Sequence, residues 1–227
     1  ASILIFKSSR AEAIAIGFCI LFSNAVFLGL PITELAYGSD ALGANFAIIS
    51  VNAPICYLIG ISVMEIFGDE KNSFPNTIQN IFKTITSNTI TMSLLLGLAF
   101  NLLSVPMFLP ISTTLSLISP GAIPIALFGL GGILARYKVT KKFNKIFLIV
   151  ILSICIHPLI TILIGISGFN LSQSTLRSAV ITAAMGPGIN AFIFASIYKK
   201  EMDVVAAAVL VCAPISIVTT SLWITFI

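Results

Sequence analysis

The fold is decided by one stretch in the C-terminal half of the chain, where residues 183–192 read AAMGPGINAF. This stretch lies inside an apolar run, at about 176–198, that is long enough to cross a bilayer as a helix. Proline removes a backbone donor and clashes with the preceding turn, and glycine tolerates unusual dihedral angles. We therefore expect the helix to break at Gly186, Pro187 and Gly188, near mid-membrane. Broken backbone at that depth is tolerated only when buried in protein or lining a wet cavity, so the stretch predicts half of a transporter's binding site.

The composition is typical of a protein that resides in lipid. Hydrophobic residues make up 58% of the chain and charged residues 9%, with a mean hydropathy of +1.11, whereas soluble domains carry about 25% charged residues. The net charge of +4 comes from basic residues between apolar runs and does not indicate a nucleic-acid partner. The sequence has no phosphate-binding loop, zinc-ligand spacing or CxxC motif, so we expect no cofactor and no metal. The four cysteines fall in four different apolar runs, which indicates buried small side chains rather than disulfides.

Seven apolar runs are each long enough for a membrane-spanning helix of about 17–25 residues. They cover approximately residues 12–36, 42–67, 88–105, 110–135, 144–168, 175–198 and 203–227. The longest connection, residues 68–87, repeats apolar residues at intervals of three and four, which predicts an amphipathic helix at the membrane interface. The sequence therefore predicts an all-α polytopic membrane protein.

The basic residues lie in alternate connections between these runs. Eleven of the twelve Lys and Arg residues fall in connections that would share one side of the membrane, and Arg177 alone falls opposite. The eleven are Lys7, Arg10, Lys71, Lys83, Arg136, Lys138, Lys141, Lys142, Lys145, Lys199 and Lys200. Because cytoplasmic loops carry the excess of Lys and Arg, we expect this side to be cytoplasmic and the C-terminus at Ile227 to face outside.

Two units of the sequence resemble each other and are predicted to be inverted. Residues 51–55 read VNAPI and residues 211–215 read VCAPI. The run before each contains a Gly/Pro/Asn break and a late tyrosine, and the charge map sends these two runs across the membrane in opposite directions. Inverted repeats with paired broken helices indicate a binding site at the membrane midplane. We therefore expect a first break at Gly29 and Pro31 to match the second at 186–188.

Several stretches carry a recognisable pattern. They read NAVFLGLP at 24–31, YG at 37–38, AIPIALF at 122–128 and GINAF at 188–192. With these motifs the chain resembles the auxin efflux carrier family of membrane transporters, which includes plant auxin exporters and bacterial malonate-type carriers. Within the second run, Asn52, Tyr57 and Glu65 keep the spacing of a Gln, a Tyr and a Glu of the plant carriers.

The resemblance implies a ten-helix fold of two inverted five-helix repeats, of which seven transmembrane helices would be present. It implies a scaffold domain and a transport domain that move past each other, with two broken helices crossing in the transport domain. On this interpretation residues 1–67 end the first repeat and 68–87 form a cytoplasmic linker. Residues 88–227 form the second repeat, with scaffold helices in 88–135 and transport-domain helices in 144–227. The family's first two helices would be missing, the membrane would be a bacterial inner membrane, and a homodimer is compatible with the resemblance.

Four polar side chains are candidates for solute binding. Asn24 and Asn190 lie in the two runs with breaks, and an unpaired amide in hydrocarbon costs about 1–3 kcal/mol, so each needs a partner. The resemblance adds Asn52 and Tyr57 as pocket residues. The alternative for the first pair is hydrogen bonding between helices, and for the second pair a packed amide and an interfacial tyrosine.

Three further residues are polar or flexible exceptions within or beside the apolar runs. His157 is the sole histidine and suggests a proton relay, but no acidic residue is near it in sequence, so we expect a structural contact. Glu65 is expected to be a solvated charge at the cytoplasmic end of the second run. Gly186 stands where the relatives often have no glycine, and we expect it to loosen the break.

These features predict a secondary transporter that moves a small organic anion, a carboxylate such as malonate or an auxin-like acid. The positive ends of the half-helices, with Asn24 and Asn190, would hold a carboxylate without a buried cation. No Asp, Glu or Lys falls at the centre of any run, which argues against a carboxylate proton pump and against intramembrane hydrolysis. An intramembrane enzyme, a receptor that does not transport and a passive channel are the alternatives.

Overall fold

The computed structural model describes residue 3, residues 6–68, residue 86, residues 89–134 and residues 142–227. This part of the chain is helical, as predicted. The α-helices are α1 Arg10–Leu21, α2 Leu30–Tyr37, α3 Leu42–Phe67, α4 Thr89–Leu102, α5 Leu109–Leu134, α6 Phe143–Val150, α7 His157–Ser167, α8 Gln173–Ala184, α9 Ile189–Tyr198 and α10 Met202–Phe226. A π-helical turn, Ala25–Gly29, leads into α2, and another, Ile151–Ile156, joins α6 to α7.

Three continuous helical stretches in the described chain are long and apolar enough to cross a membrane. They are Ser39–Phe67, Phe143–Ser167 and Met202–Phe226. Their ends agree with the predicted runs because each run stops where polar or charged residues begin. By contrast, α4 has 14 residues and ends at Leu102, earlier than predicted, since Ser104 takes a left-handed conformation and Pro106 follows it. The predicted interfacial helix falls mainly on residues 69–85, outside the described residues.

The largest core cluster joins α1, α6, α9 and α10. It contains Ile16, Cys19, Ile146, Ile149, Ala191, Ala195, Val204, Val205, Ala207 and Ala208, all buried. Alanines predominate on α9 and α10, which lets these two helices approach closely. Many large apolar side chains of α4 and α5 are instead exposed, including Leu117 and Phe128. In a bilayer such surfaces contact lipid or further helices.

An aromatic cluster fills the space between α1, α3 and α9. The rings of Phe18 and Phe194 stack with centroids 3.8 Å apart, and Tyr57 lies 5.4 Å from Phe18. Gly60 on α3 makes this packing possible, because a methyl group there would overlap the Phe18 ring. The cluster fixes the distance between α3 and the two helices that carry the site described below.

Charged side chains tie α1, α6 and the start of α10 together at one end of the bundle. The buried carboxylate of Glu201 binds the ammonium groups of Lys142 and Lys145, and Lys142 also lies 3.5 Å from Asp203. Lys145 reaches towards Glu12, which caps the start of α1 together with Ser9. Desolvation lowers the pKa of Lys142, but the hydrogen bond and charge of Glu201, with the charge of Asp203, outweigh it and raise that pKa.

Candidate functional site

Two helices of the bundle are interrupted, and the interruptions pair with each other. The first interruption separates α1 from the π-helical turn before α2, and the second separates α8 from α9. Ser23 and Pro187 form an antiparallel β-bridge at this point. The Asn24 N–H donates to the Gly186 carbonyl at 2.8 Å, and the Gly188 N–H donates to the Phe22 carbonyl at 3.2 Å. The two chains therefore cross by pairing their extended backbone, and we call this place the crossing.

Pro187 fits the crossing because of where the two hydrogen bonds lie. In an antiparallel pair, residues opposite each other alternate between bonded and non-bonded positions. Here the bonds come from the neighbours of the Ser23–Pro187 pair, so the missing N–H of Pro187 costs no hydrogen bond. Met185, Pro187 and Gly188 are all buried. The predicted interruption at Gly186, Pro187 and Gly188 therefore agrees with the structure.

The first interruption lies earlier than predicted. We expected it at Gly29 and Pro31, but the helix is open at Phe22, Ser23 and Asn24. Gly29 belongs to the π-helical turn, and its N–H donates to the Asn24 carbonyl five residues back. Pro31 follows in the first turn of α2. The continuous helical stretch Ala25–Tyr37 includes both residues, and proline is tolerated in membrane helices where local π-helical adjustments satisfy the freed backbone groups. Gly29 still faces the crossing, since a methyl group there would lie 3.6 Å from Met185 Cγ.

Glycine is required at the crossing for close approach rather than for flexibility. A methyl group on Gly186 would lie 3.3 and 3.4 Å from backbone carbons of Cys212 on α10, and would overlap the Cys212 Cβ. A methyl group on Gly188 would lie 3.2 Å from the Asn24 Cα. The expectation that Gly186 loosens the break is therefore corrected, because this glycine lets α10 pack directly against the crossing.

Asn24 brings an unsatisfied donor to the crossing. Its side chain is buried, and its Nδ2 has no hydrogen-bond partner among the described residues. Its backbone carbonyl accepts from Leu28 and Gly29 at the start of the next helical segment. That segment and α9 both begin at the crossing, so two helix N-termini, each carrying a partial positive charge, meet a buried amide donor there. This combination favours an anionic group.

Asn190 and Tyr57 lie together at the start of α9. The Tyr57 hydroxyl lies 3.4 Å from Asn190 Oδ1 and 3.5 Å from the Asn190 carbonyl, to which it donates weakly. Tyr57 is buried, while Asn190 is half-buried. Asn52 is half-buried one turn before Cys56, and its Oδ1 accepts from the Cys56 thiol at 3.3 Å. The structure therefore links two of the four predicted residues, Asn190 and Tyr57, directly. It places Asn24 in the crossing itself, two residues after Phe22, the hydrogen-bond partner of Gly188.

The structure contains a buried polar cluster that was not among the residues predicted from the sequence. The Asn45 Nδ2 donates to the hydroxyl oxygens of Thr33 at 3.2 Å and Thr182 at 3.1 Å. All three side chains are buried, and they come from α3, α2 and α8. A polar residue inside an apolar run is a signal for function by itself, but Asn45 has no motif around it that would identify its partners.

Two more polar residues differ from or extend the sequence-based expectations. Glu65 was expected to be solvated, but it is buried, and its Oε1 accepts from the Tyr198 hydroxyl at 3.4 Å. Tyr198 is the last residue of α9, so the end of this helix covers the carboxylate. His157 is half-buried, and its Nδ1 has no hydrogen-bond partner among the described residues. Neither residue is hydrogen-bonded to the crossing among the described residues.

Comparison with known proteins decides what these features belong to. A family model described as membrane transport protein matches residues 1–224. The chain belongs to this family. It is the auxin efflux carrier family that the motifs resemble, so the resemblance is confirmed. A curated protein of Rhizobium meliloti (strain 1021), named "Putative malonate transporter", is 23% identical over 215 residues, which cover 95% of this chain and 67% of that protein.

Membership of the membrane transport protein family makes this chain a membrane transport protein and not an enzyme. The described residues contain no group of three or more His, Cys, Asp or Glu side chains that would hold a metal ion. The crossing itself presents two helix N-termini and the buried side-chain amide of Asn24.

Proposed function

We propose that the protein is a secondary transporter for a small organic anion and that the anion's carboxylate binds at the crossing. Carboxylates such as malonate or an auxin-like acid are the proposed solutes. The Rhizobium meliloti relative's name supports a dicarboxylate among them. The membrane transport protein family supports transport as the general activity.

The unpartnered Nδ2 of Asn24 is the observation that carries this proposal. A buried donor without an acceptor costs about 1–3 kcal/mol, and a carboxylate oxygen would remove that cost. Each helix N-terminus adds about 0.3–1 kcal/mol for an anion, and two of them meet at the crossing. Neutral donors also suit release, because an anion paired with a buried lysine or arginine would be held more tightly and would leave a charge behind.

Asn190, Tyr57 and Asn52 complete the proposed pocket. The amide of Asn190 lies in the first turn of α9 beside the crossing, and the hydroxyl of Tyr57 lies within 3.5 Å of it. A solute that displaces this weak bond would gain the Tyr57 hydroxyl as a hydrogen-bond donor and would free the Asn190 Oδ1 as an acceptor. We place Asn52 in the second layer of the pocket, because its Oδ1 accepts from the Cys56 thiol.

The finer architecture belongs to the same proposal. We infer seven transmembrane helices of a ten-helix fold with inverted five-helix repeats, cytoplasmic basic loops and an outward C-terminus. The transport domain would contain the two interrupted helices and would move past scaffold helices in 88–135 in an elevator cycle. Exposed apolar side chains on α4 and α5 support such a sliding surface. A homodimer in a bacterial inner membrane fits this arrangement.

The test is solute uptake by the full-length protein in liposomes. Radiolabelled malonate should enter with saturable kinetics and should be competed by other small carboxylates. Asn24→Ala should lower the uptake at least tenfold, whereas Asn101→Ala, at an exposed asparagine of α4, should leave it unchanged. Absence of saturable uptake of malonate and auxin-like acids would refute the proposed solute class. Uptake that never saturates would support a passive channel, and binding without uptake would support a receptor.

A further inference from the structure

The polar cluster of Thr33, Asn45 and Thr182 has an unsatisfied atom at its centre. The Asn45 side chain is fully buried, and its Nδ2 holds both threonine hydroxyls. Its Oδ1, on the same amide carbon, has no hydrogen-bond partner among the described residues. A purely structural cluster would be expected to satisfy this acceptor, since a buried unpaired acceptor costs about 1–3 kcal/mol.

The surroundings of Asn45 are rich in acceptors. Thr182 stands in the last turn of α8, which ends at Ala184, so carbonyl groups without helical donors lie beside the cluster. The C-terminal end of a helix also carries a partial negative charge. One turn earlier on α8, the Ser178 hydroxyl already donates its hydrogen to the Ala41 carbonyl. The cluster therefore lies at the end of α8 where a positive charge is favoured.

The spacing of the three side chains fits a small cation. A half-turn of the Asn45 amide exchanges Nδ2 with Oδ1 and puts Oδ1 about 3.1–3.2 Å from the two hydroxyl oxygens. Oxygen atoms bind Ca²⁺ at about 2.3–2.6 Å from the ion, a range that also suits the similarly sized Na⁺. Two oxygens bound to the same ion at that distance lie only slightly further apart than the oxygens of this cluster. All three oxygens are neutral, which favours a monovalent ion over a divalent one.

We propose that Thr33, Asn45 and Thr182 form a binding site for Na⁺, completed by carbonyls at the end of α8. The site joins α2, α3 and α8, so an ion there would fix both interrupted helices against α3. Thr182 is three residues before Met185, which puts the site about 5 Å along α8 from the crossing. If the proposed anion binding at the crossing holds, on which this step rests, the two charges would attract each other across that distance and bind cooperatively.

The first experiment measures the ion alone, with no organic anion present. The melting temperature (Tm) of the purified full-length protein is compared in NaCl, KCl and choline chloride at equal ionic strength. Na⁺ should raise Tm relative to choline by about 3–6 °C at ten times its Kd, and the rise should saturate. Equal Tm values in all three salts over a wide concentration range, together with no binding of ²²Na⁺, would overturn the proposal.

Variants separate ion binding from a structural role. Thr33→Val and Thr182→Val keep the shape of the side chain and remove the hydroxyl oxygen, so each should abolish the Tm difference between NaCl and choline chloride. Thr114→Val, at an exposed threonine of α5 whose hydroxyl donates to the Pro110 carbonyl of its own helix, should keep that difference. If Thr33→Val and Thr182→Val lowered Tm by the same amount in every salt, the threonines would have a structural role only, and the ion site would be refuted. Should a variant fail to fold, ²²Na⁺ binding to the wild-type protein decides.

The second experiment tests the coupling and keeps the two proposals apart. Malonate uptake into liposomes is measured with an inward Na⁺ gradient and with choline in its place. Faster uptake with Na⁺, lost in Thr182→Val, would support coupling. A Na⁺-dependent Tm without any carboxylate uptake would keep the ion site and refute the proposed function. Saturable uptake that ignores Na⁺, with no Tm response, would refute the ion site and keep the function.

Discussion

Replacement of Gly186 by alanine tests whether the crossing is packed as tightly as the structure indicates. The added methyl group would lie 3.3–3.4 Å from the backbone of Cys212 and would overlap its Cβ, while carbon atoms prefer separations of about 3.5–4.0 Å. Because the nearest atoms are backbone and Cβ, no side-chain rotation relieves the overlap, and α10 or the crossing must move.

The expected magnitude follows from two opposing effects. Overpacking of a tight core costs about 1–3 kcal/mol, and the loss of glycine's freedom in the unfolded chain returns about 0.4–1 kcal/mol. The net loss should be about 1–2 kcal/mol, which corresponds to a Tm lower by about 2–8 °C for a chain of this length. Transport should fall more strongly, because a shift of the crossing displaces the Asn24 amide.

Thermal unfolding of the purified full-length protein measures this loss, and Gly43→Ala is the matched control. Gly43 lies in α3 with open space where its methyl group would go, so its replacement should leave Tm unchanged or raise it slightly. In the double variant Gly186→Ala with Cys212→Gly, the overlap with Cβ is removed, so the two losses should not add. An unchanged Tm in Gly186→Ala, or strict additivity in the double variant, would refute the reasoning.

Three other predictions concern the packing around the crossing and the ion pairs. Gly60→Ala should lower Tm by an amount equivalent to about 1–3 kcal/mol, because its methyl group would displace Phe18 from its stack on Phe194; no change in Tm would contradict this. Glu201→Gln should cost about 2–3 kcal/mol because it leaves Lys145 without its buried partner, whereas Glu34→Gln, at an exposed position, should cost nothing measurable. The raised pKa of Lys142 means that its stabilisation is complete below the ordinary value of 10.5 and is lost as pH rises through the higher folded-state pKa. Above about pH 10.5 the Tm of the wild-type protein should therefore fall more steeply than that of Lys142→Met. The difference should correspond to less than about 1 kcal/mol of unfolding free energy, because Lys142 is half-exposed. Parallel curves of Tm against pH would contradict this prediction.

The helices were predictable because their limits are set by local chemistry. Runs of apolar residues long enough for a bilayer end at charged residues, and the ends of α3, α5 and α10 follow those limits within a few residues. The second interruption was predictable for the same reason, because Gly186, Pro187 and Gly188 oppose a helix whatever surrounds them.

The first interruption was not predictable from local sequence. Ser23 and Asn24 are only mildly unfavourable in a helix, and the strong signals at Gly29 and Pro31 lie beyond the break. The chain opens at Phe22–Asn24 because the backbone there pairs with Gly186 and Gly188, more than 160 residues later. Tertiary pairing therefore decides between two candidate positions that local propensity ranks the other way.

The polar contacts were also beyond the reach of sequence patterns. Asn45 finds one partner 12 residues away and another 137 residues away, and Glu65 is covered by Tyr198 from a different helix. A charge at the end of an apolar run appears solvated when only its neighbours in sequence are considered. Burial of such groups depends on which helices pack over them.

A cross-link at the crossing tests the central claim most directly, and it needs no knowledge of the solute. Opposite residues of a non-bonded antiparallel pair have Cα atoms about 4.5 Å apart, within the range for a disulfide. With the four native cysteines replaced by alanine, Ser23→Cys with Pro187→Cys should form a disulfide under a membrane-permeable oxidant, seen by mass spectrometry as linked peptides. Ser23→Cys with Ser174→Cys should not, because Ser174 lies near the far end of α8. Linked peptides only in the first pair are the predicted result, and no link in a folded first pair would contradict the crossing.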